Sequence, residues 1–212
     1  MARLTFTPED HDRVAQAIGA AEAKTSGEIY AVFTHESSRY QFVAATAALA
    51  IALVAALATA LLALVLGVAV PALGLVLCQL LAAGLLGAGL MAVPRWRMIF
   101  VPRAIAAARA HDFAIRQFAA HGIHRTAGRT GVLIFVSEAE RHAEIVADAG
   151  IAAKVPQKAW DDIVAGLVEA ARTDRLAEGY VAAIAAAGQI LQAEFPGDDR
   201  TPNALPDRLV VM

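Results

Sequence analysis

From Gln41 to Pro94 the chain carries no Asp, Glu, Lys, Arg or His, and 43 of the 52 residues from Phe42 to Val93 are hydrophobic. A helix needs roughly 20 apolar residues to cross a bilayer, so this run has room for two. Gly67, Pro71 and Gly74 punctuate its middle. The pattern predicts helices over residues 42–66 and 72–93, joined by a turn short enough to make an antiparallel hairpin. The alternative is a hairpin buried inside a soluble protein. Covering so long an uncharged stretch would take a much larger domain than the rest of the chain supplies.

Ala44, Ala48, Ala52, Ala56 and Ala60 form a small-residue stripe at spacing four on the first span, and Gly84, Ala88 and Ala92 form one on the second. Small residues at that period let two backbones approach closely in lipid, and they predict the packing faces. An alanine-rich helix also produces such stripes from composition alone. Arg39 precedes the first span and Arg95, Arg97 and Arg103 follow the second, whereas the central turn is uncharged. The positive-inside rule then predicts a multi-pass membrane protein with both soluble ends cytoplasmic.

All 18 basic and 20 acidic residues lie outside the apolar run. They make up about a quarter of what remains, ordinary for a soluble domain. The chain therefore reads as a membrane segment plus a globular part, which excludes a purely soluble enzyme and a disordered protein. A net charge of −2 leaves no basic field for nucleic acid, and none is expected as a partner. The one cysteine, Cys78, lies in the apolar run, so neither a disulfide framework nor a thiolate metal site is built here. Residues 1–12 lack the basic and apolar regions of a signal peptide.

In the soluble part, Thr7-Pro8-Glu9-Asp10 signals a helix start with Thr7 as N-cap and Pro8 in the first turn, and the helix is expected to run to about Ala23. Residues 28–33 read as a strand. A helix is expected over residues 103–121, stopped by Gly122. Residues 131–136 are continuously apolar, as in a strand buried on both faces. Residues 143–147 read as a third strand, paired back through the charged turn Ser137–Arg141. After Pro156 the positions Trp160, Ile163, Val164, Leu167, Val168 and Ala171 give an amphipathic helix, with Trp160 as core filling. A last helix runs to about Glu194, and an extended tail follows. The expected organisation is a soluble segment over 1–40, a hairpin over 41–94, the second soluble segment over 95–196 and the tail over 197–212. This is an α/β domain with the hairpin inserted after its first strand.

Several strings resemble the TPM-domain family, also called the TPM phosphatase family, in a bacterial membrane branch. They are SGEIYAVF (Ser26–Phe33), TGVLIFVSEAER (Thr130–Arg141), EIVADAGI (Glu144–Ile151), the Trp160 helix and NALPDRLV (Asn203–Val210). Ala204 stands where the family often has an acid. The resemblance implies an α/β/α sandwich around a small mixed sheet and a role in maintaining membrane complexes. For some members it also implies divalent-ion binding or phosphatase activity.

The acids near the strand ends are Glu28, Glu140, Glu144 and Asp148. Hard cations take several converging carboxylate oxygens. With the resemblance, this makes Asp148, Glu144 and Glu28 candidate ligands for Ca²⁺ or Mg²⁺; the alternative is solvated edge charge and an Asp148 that caps a turn. His121, His124 and His142 lack zinc-ligand spacing and read as solvated loop histidines. The loop from His124 to Gly131 is basic and hydroxyl-bearing, so it offers an anion site, yet it lacks a P-loop ending. Ser137 sits in no nucleophile elbow. No nucleotide, haem, flavin or iron–sulfur motif is present. The leading expectation is a non-catalytic interaction or maintenance factor in the lipid bilayer, docked on a membrane protein or self-associated. The alternative is a metal-dependent phosphatase. Two spans without an ionisable group argue against a transporter.

Overall fold

The computed structural model describes residues 4–126, 128–197 and 205–212. The chain divides into two compact units: residues up to Ser37 together with Ala107–Met212, and Ser38–Ala106.

The first unit begins with helix α1 (Pro8–Glu22). Its capping box forms as the sequence signals. Asp10 N donates to Thr7 Oγ1 at 3.2 Å, and Thr7 N donates to Asp10 Oδ2 at 2.9 Å. Strand β1 (Glu28–Thr34) follows, and all seven of its residues are buried. Strand β2 (Gly131–Ser137) is likewise buried throughout. The two pair in parallel from Glu28–Gly131 to Thr34–Ser137. Strand β3 (His142–Ala147) turns back antiparallel on β2. The segment read as an extended tail ends as strand β4 (Leu209–Val211), parallel to β1 on its other side. The sheet order is β3-β2-β1-β4, a mixed sheet.

Successive strand residues point to opposite faces, so two cores form. On one face Ile29, Ala31, Phe33, Val132 and Ile134 pack under α1, α7 (Lys158–Arg172) and α8 (Leu176–Glu194). Trp160 and Leu167 of α7 are buried there, as the helical spacing predicts. On the other face Tyr30, Val32, Leu133 and Phe135 meet Ala110 and Ala114 of α5 (Arg103–Ala120). The result is the α/β/α arrangement expected. Each fully buried Ile, Leu or Phe contributes about 1.5–3 kcal/mol. The buried Tyr180 hydroxyl donates to Val32 O at 2.7 Å. Burial pushes its ionisation up, so it stays a donor. Gly131 is required by contact: a Cβ there would lie 2.5 Å from Ile123 O. A short helix α6 (Ala149–Ala152), not expected from the sequence, follows β3.

The second unit holds α2 (Gln41–Leu66), α3 (Ala72–Ala92) and the short α4 (Pro94–Ile99). Gly67 closes α2 in the left-handed region at φ 67°, and Val68 N donates to Ala63 O at 2.9 Å, a geometry glycine adopts without strain. Both α2 and α3 are long and apolar enough to cross a membrane, and only 6% of either apolar window is buried. A core helix of a soluble protein would be covered, so these helices point to membrane association.

The packing seam corrects the expected stripe. On α2, Ala48 and Ala52 are buried, Ala56 and Ala63 are half-buried and Ala60 is exposed. Spacing four on a 3.6-residue helix drifts about 40° per step, so the seam passes from Ala56 to Ala63. The side chain of Ala44 lies outside the described residues. On α3 the seam holds Ala83, Gly87 and Leu90, whereas Gly84, Ala88 and Ala92 are exposed. A Cβ on Gly87 would lie 3.8 Å from Ala48 Cβ, and one on Gly84 would meet nothing within 4 Å. We therefore expect Ala52→Leu or Gly87→Leu to destabilise the hairpin by about 1–3 kcal/mol, and Gly84→Leu to be tolerated. Thermal unfolding in detergent checks this. Equal effects at Gly84 and Gly87 would place the seam wrongly.

Candidate functional site

β3 ends at Ala147, and Asp148 turns off the sheet as N-cap of α6, its Oδ1 accepting from Ala149 N at 2.6 Å. Asp148 is almost fully buried, and Arg129 Nε donates to the same Oδ1 at 2.9 Å. Arg129 takes φ 54°, a left-handed conformation that arginine pays strain to adopt. Gly150 N donates to Arg129 O at 3.1 Å, and a Cβ on Gly150 would lie 2.6 Å from that oxygen. Gly150 thus permits close approach of two backbones, where the sequence suggested a bend. The guanidinium of Arg129 occupies the place next to Asp148 that a cation was expected to take.

The rest of that loop is tied to itself. Thr130 N donates to Thr126 Oγ1 at 2.9 Å, and Thr130 Oγ1 donates to Ser26 O at 2.9 Å. The hydroxyls and Arg129 that the sequence offered to an anion are engaged in holding the loop on the sheet.

Glu144 lies in β3 opposite Phe135. His111 Nδ1 of α5 is 2.8 Å from its Oε2, and His142 Nε2 is 3.4 Å from its Oε1. Burial pushes this carboxyl up, but the contacts with His142 and His111 outweigh it and hold it below the ordinary value. His142 is therefore part of a clasp, where a solvated histidine was expected. His121 also differs: its ring packs on Tyr30 at 4.6 Å, with Nδ1 3.1 Å from the Tyr30 hydroxyl. Burial first, and the charge of Arg208 second, depress its basicity. His121 borders a cleft of about 290 Å³ that Gly122, Arg125, Thr126 and Leu205 also line. His124 sits half-exposed in the turn Ile123–Arg125.

Glu140, in the turn after β2, is half-buried beyond the carboxyl ends of β1 and β2. Ser37 Oγ donates to its Oε1 at 2.7 Å, Ser37 N does so at 3.1 Å, and Ser137 Oγ donates to its Oε2. His35 Nδ1 pairs beside it with Glu138 Oε2 at 2.8 Å. Glu140 thus straps Ser37, at the exit of β1, to Ser137 at the end of β2.

Glu28 opens β1, buried, and its Oε2 accepts from Leu205 N at 3.2 Å. It neighbours two acids that sequence reasoning did not single out. Glu22, at the end of α1, accepts from Ile29 N at 2.7 Å through Oε1. Burial foremost, with the charges of Glu28 and Asp207, pushes the Glu22 carboxyl up to about 8, against the Ile29 N–H that favours its charge. Glu22 and Glu28 flank one short connection, and Asp207 joins them from the far end of the sequence, which no local pattern signals. Asp148, Glu144 and Glu28 are not gathered into one set. Among the described residues, no group of three or more His, Cys, Asp or Glu is disposed to hold a metal. Asp148 faces a guanidinium and Glu144 faces imidazoles, so these residues do not fit a Ca²⁺ or Mg²⁺ centre.

A three-layer α/β/α unit around a β3-β2-β1-β4 sheet, interrupted by two apolar helices, defines the class of protein. Residues 95–190 match the family model of the TPM domain. Its fold is similar to the NMR structure of the BA42 protein from the psychrophilic bacterium Bizionia argentinensis. The TM-score is 0.60 at 19% identity, over 98% of this chain and 95% of that one. No curated protein sequence matches.

The Glu22 environment makes a testable statement. Its value in the fold lies above the ordinary 4.5. The stability it contributes is therefore fully present below about pH 4.5 and is lost as pH rises through about 8. Glu22→Gln, which mimics the protonated acid, is expected to flatten that loss and to gain on the order of 2 kcal/mol at pH 9. Denaturant unfolding across pH measures it. Parallel profiles for parent and variant would contradict the assignment.

Proposed function

We propose that this chain is a membrane-anchored TPM-domain protein of the bacterial inner membrane, with both termini cytoplasmic. In this reading it serves membrane complexes as a non-catalytic interaction or maintenance factor, with a membrane protein or a second copy as partner. The observation that carries this reading is the uncovered apolar surface of α2 and α3, set between two strands of one sheet. The engagement of the chemistry-bearing side chains supports the non-catalytic part. Asp148 is held by Arg129, Glu144 by His111 and His142, and Ser137 by Glu140. A hydrolytic centre needs a nucleophile or an activated water aimed at open space, and these groups are aimed at one another.

Two measurements test it. In a Cys78→Ser background, a cysteine at Ala72 is expected to react with an impermeant thiol reagent added outside intact cells, and one at exposed Arg172 is not. External labelling at Arg172 would overturn the topology. The purified full chain in lipid nanodiscs is expected to release no phosphate from aryl phosphates with or without Mg²⁺ or Ca²⁺. Metal-dependent turnover abolished by Asp148→Asn would establish the phosphatase reading instead.

A further inference from the structure

The segment just outside the spans has its own construction. Tyr40, Val101 and Ala106 are buried together, with Val43 and Met98 against them. This small core folds α4 back beside the base of the hairpin within the second unit. The side chains that this packing leaves outside are large and apolar. Phe42 is 79% exposed, Trp96 54%, Ile99 75% and Phe100 41%. Trp96 rests its ring edge near Gly89, whose Cβ position lies 3.9 Å from the indole. Phe42 starts α2 and the other three follow α3, so all four stand at the open end of the hairpin.

Charge at this end is of one sign. The second unit, Ser38–Ala106, contains Arg39, Arg95, Arg97 and Arg103 and no Asp, Glu, Lys or His. Arg39 and Arg103 are exposed, whereas Arg97 is buried in the unit's own packing. Exposed aromatics continuous with two apolar spans, ringed by arginine without acid, match the boundary between acyl chains and anionic headgroups. Indole and phenyl rings settle there, and guanidinium groups meet phosphate.

We propose that Phe42, Trp96, Ile99 and Phe100 form a collar that seats the hairpin at the headgroup level of an anionic leaflet, with Arg39 and Arg103 on the lipid phosphates. The proposal rests on the reading that α2 and α3 lie in lipid, and it adds the depth, the lipid class and the residues that set both. A soluble partner covering the same aromatics would need acidic groups facing the arginines, and it would leave Trp96 out of contact with lipid.

The test reconstitutes the full chain into vesicles of phosphatidylcholine and phosphatidylglycerol carrying brominated acyl chains. Trp96 emission is obtained by subtracting the Trp96→Phe variant, which leaves core Trp160 unchanged as background. Cys78, exposed on α3, carries a bimane as a second reporter of lipid contact. Bromines close to the glycerol are expected to quench Trp96 about twofold more than bromines near the chain ends. Brominated phosphatidylglycerol is expected to quench Trp96 more than an equal share of brominated phosphatidylcholine. That excess should vanish in Arg39→Gln/Arg103→Gln.

If Cys78 is quenched while Trp96 is not, or is quenched most by the deepest bromines, the collar is wrong and the anchor stands. If neither reporter is quenched, the anchor fails and the collar with it. An equal response to the two lipids in the parent overturns the assignment to anionic headgroups.

Discussion

The pairing of β1 with β2 is the interaction on which the rest of the structure depends. Seven residues of each strand align in parallel, and all fourteen are buried. The chain leaves β1 at Thr34 and returns at Gly131 only after both apolar helices and α5. Parallel neighbours need a crossover, and here the crossover carries the hairpin. One sheet strand is thus formed before the membrane segment and its partner after it. Any account of this protein must accommodate a single sheet whose longest connection carries an uncovered apolar surface. The family model matches residues 95–190, after the hairpin.

Much of this was legible because the signals are local or periodic. The uncharged stretch marked both spans, the Thr7–Asp10 pair marked the start of α1, and the apolar run at Gly131–Val136 marked a strand buried on both faces. β4 was not legible, since three residues in a tail carry too short an alternation to separate strand from coil. The seam of the hairpin was half legible: Ala48 and Ala52 face inward, but the partner face on α3 is rotated by one residue, from Gly84 and Ala88 to Ala83 and Gly87. A rotation of about 100° is invisible when nearly every residue is small or apolar.

The polar sites show a different limit. Glu28, Glu144 and Asp148 were singled out by type and by nearness to strand ends. Which cation meets a carboxylate is a matter of tertiary placement. For Asp148 it is Arg129, held in a left-handed turn nineteen residues earlier in the chain, and for Glu144 it is two imidazoles from α5 and β3. The acids that do gather, Glu22 and Glu28 with Asp207, come from the end of α1, the start of β1 and the stretch before β4. There a raised carboxyl pKa offsets the like charges: one acid holds its proton near neutral pH.

The account stands or falls on β1 and β2 forming one sheet across the membrane segment. Amide hydrogen exchange of the full chain in lipid nanodiscs measures this most directly. Amides of Ile29–Phe33 and of Val132–Val136 are predicted to exchange together, at the slowest rate of the soluble part, because opening either strand opens the other. Fast exchange in Ile29–Phe33 beside slow exchange in Val132–Val136 would contradict it. The segment before the hairpin would then be an independent arm, and the domain would begin only after the membrane.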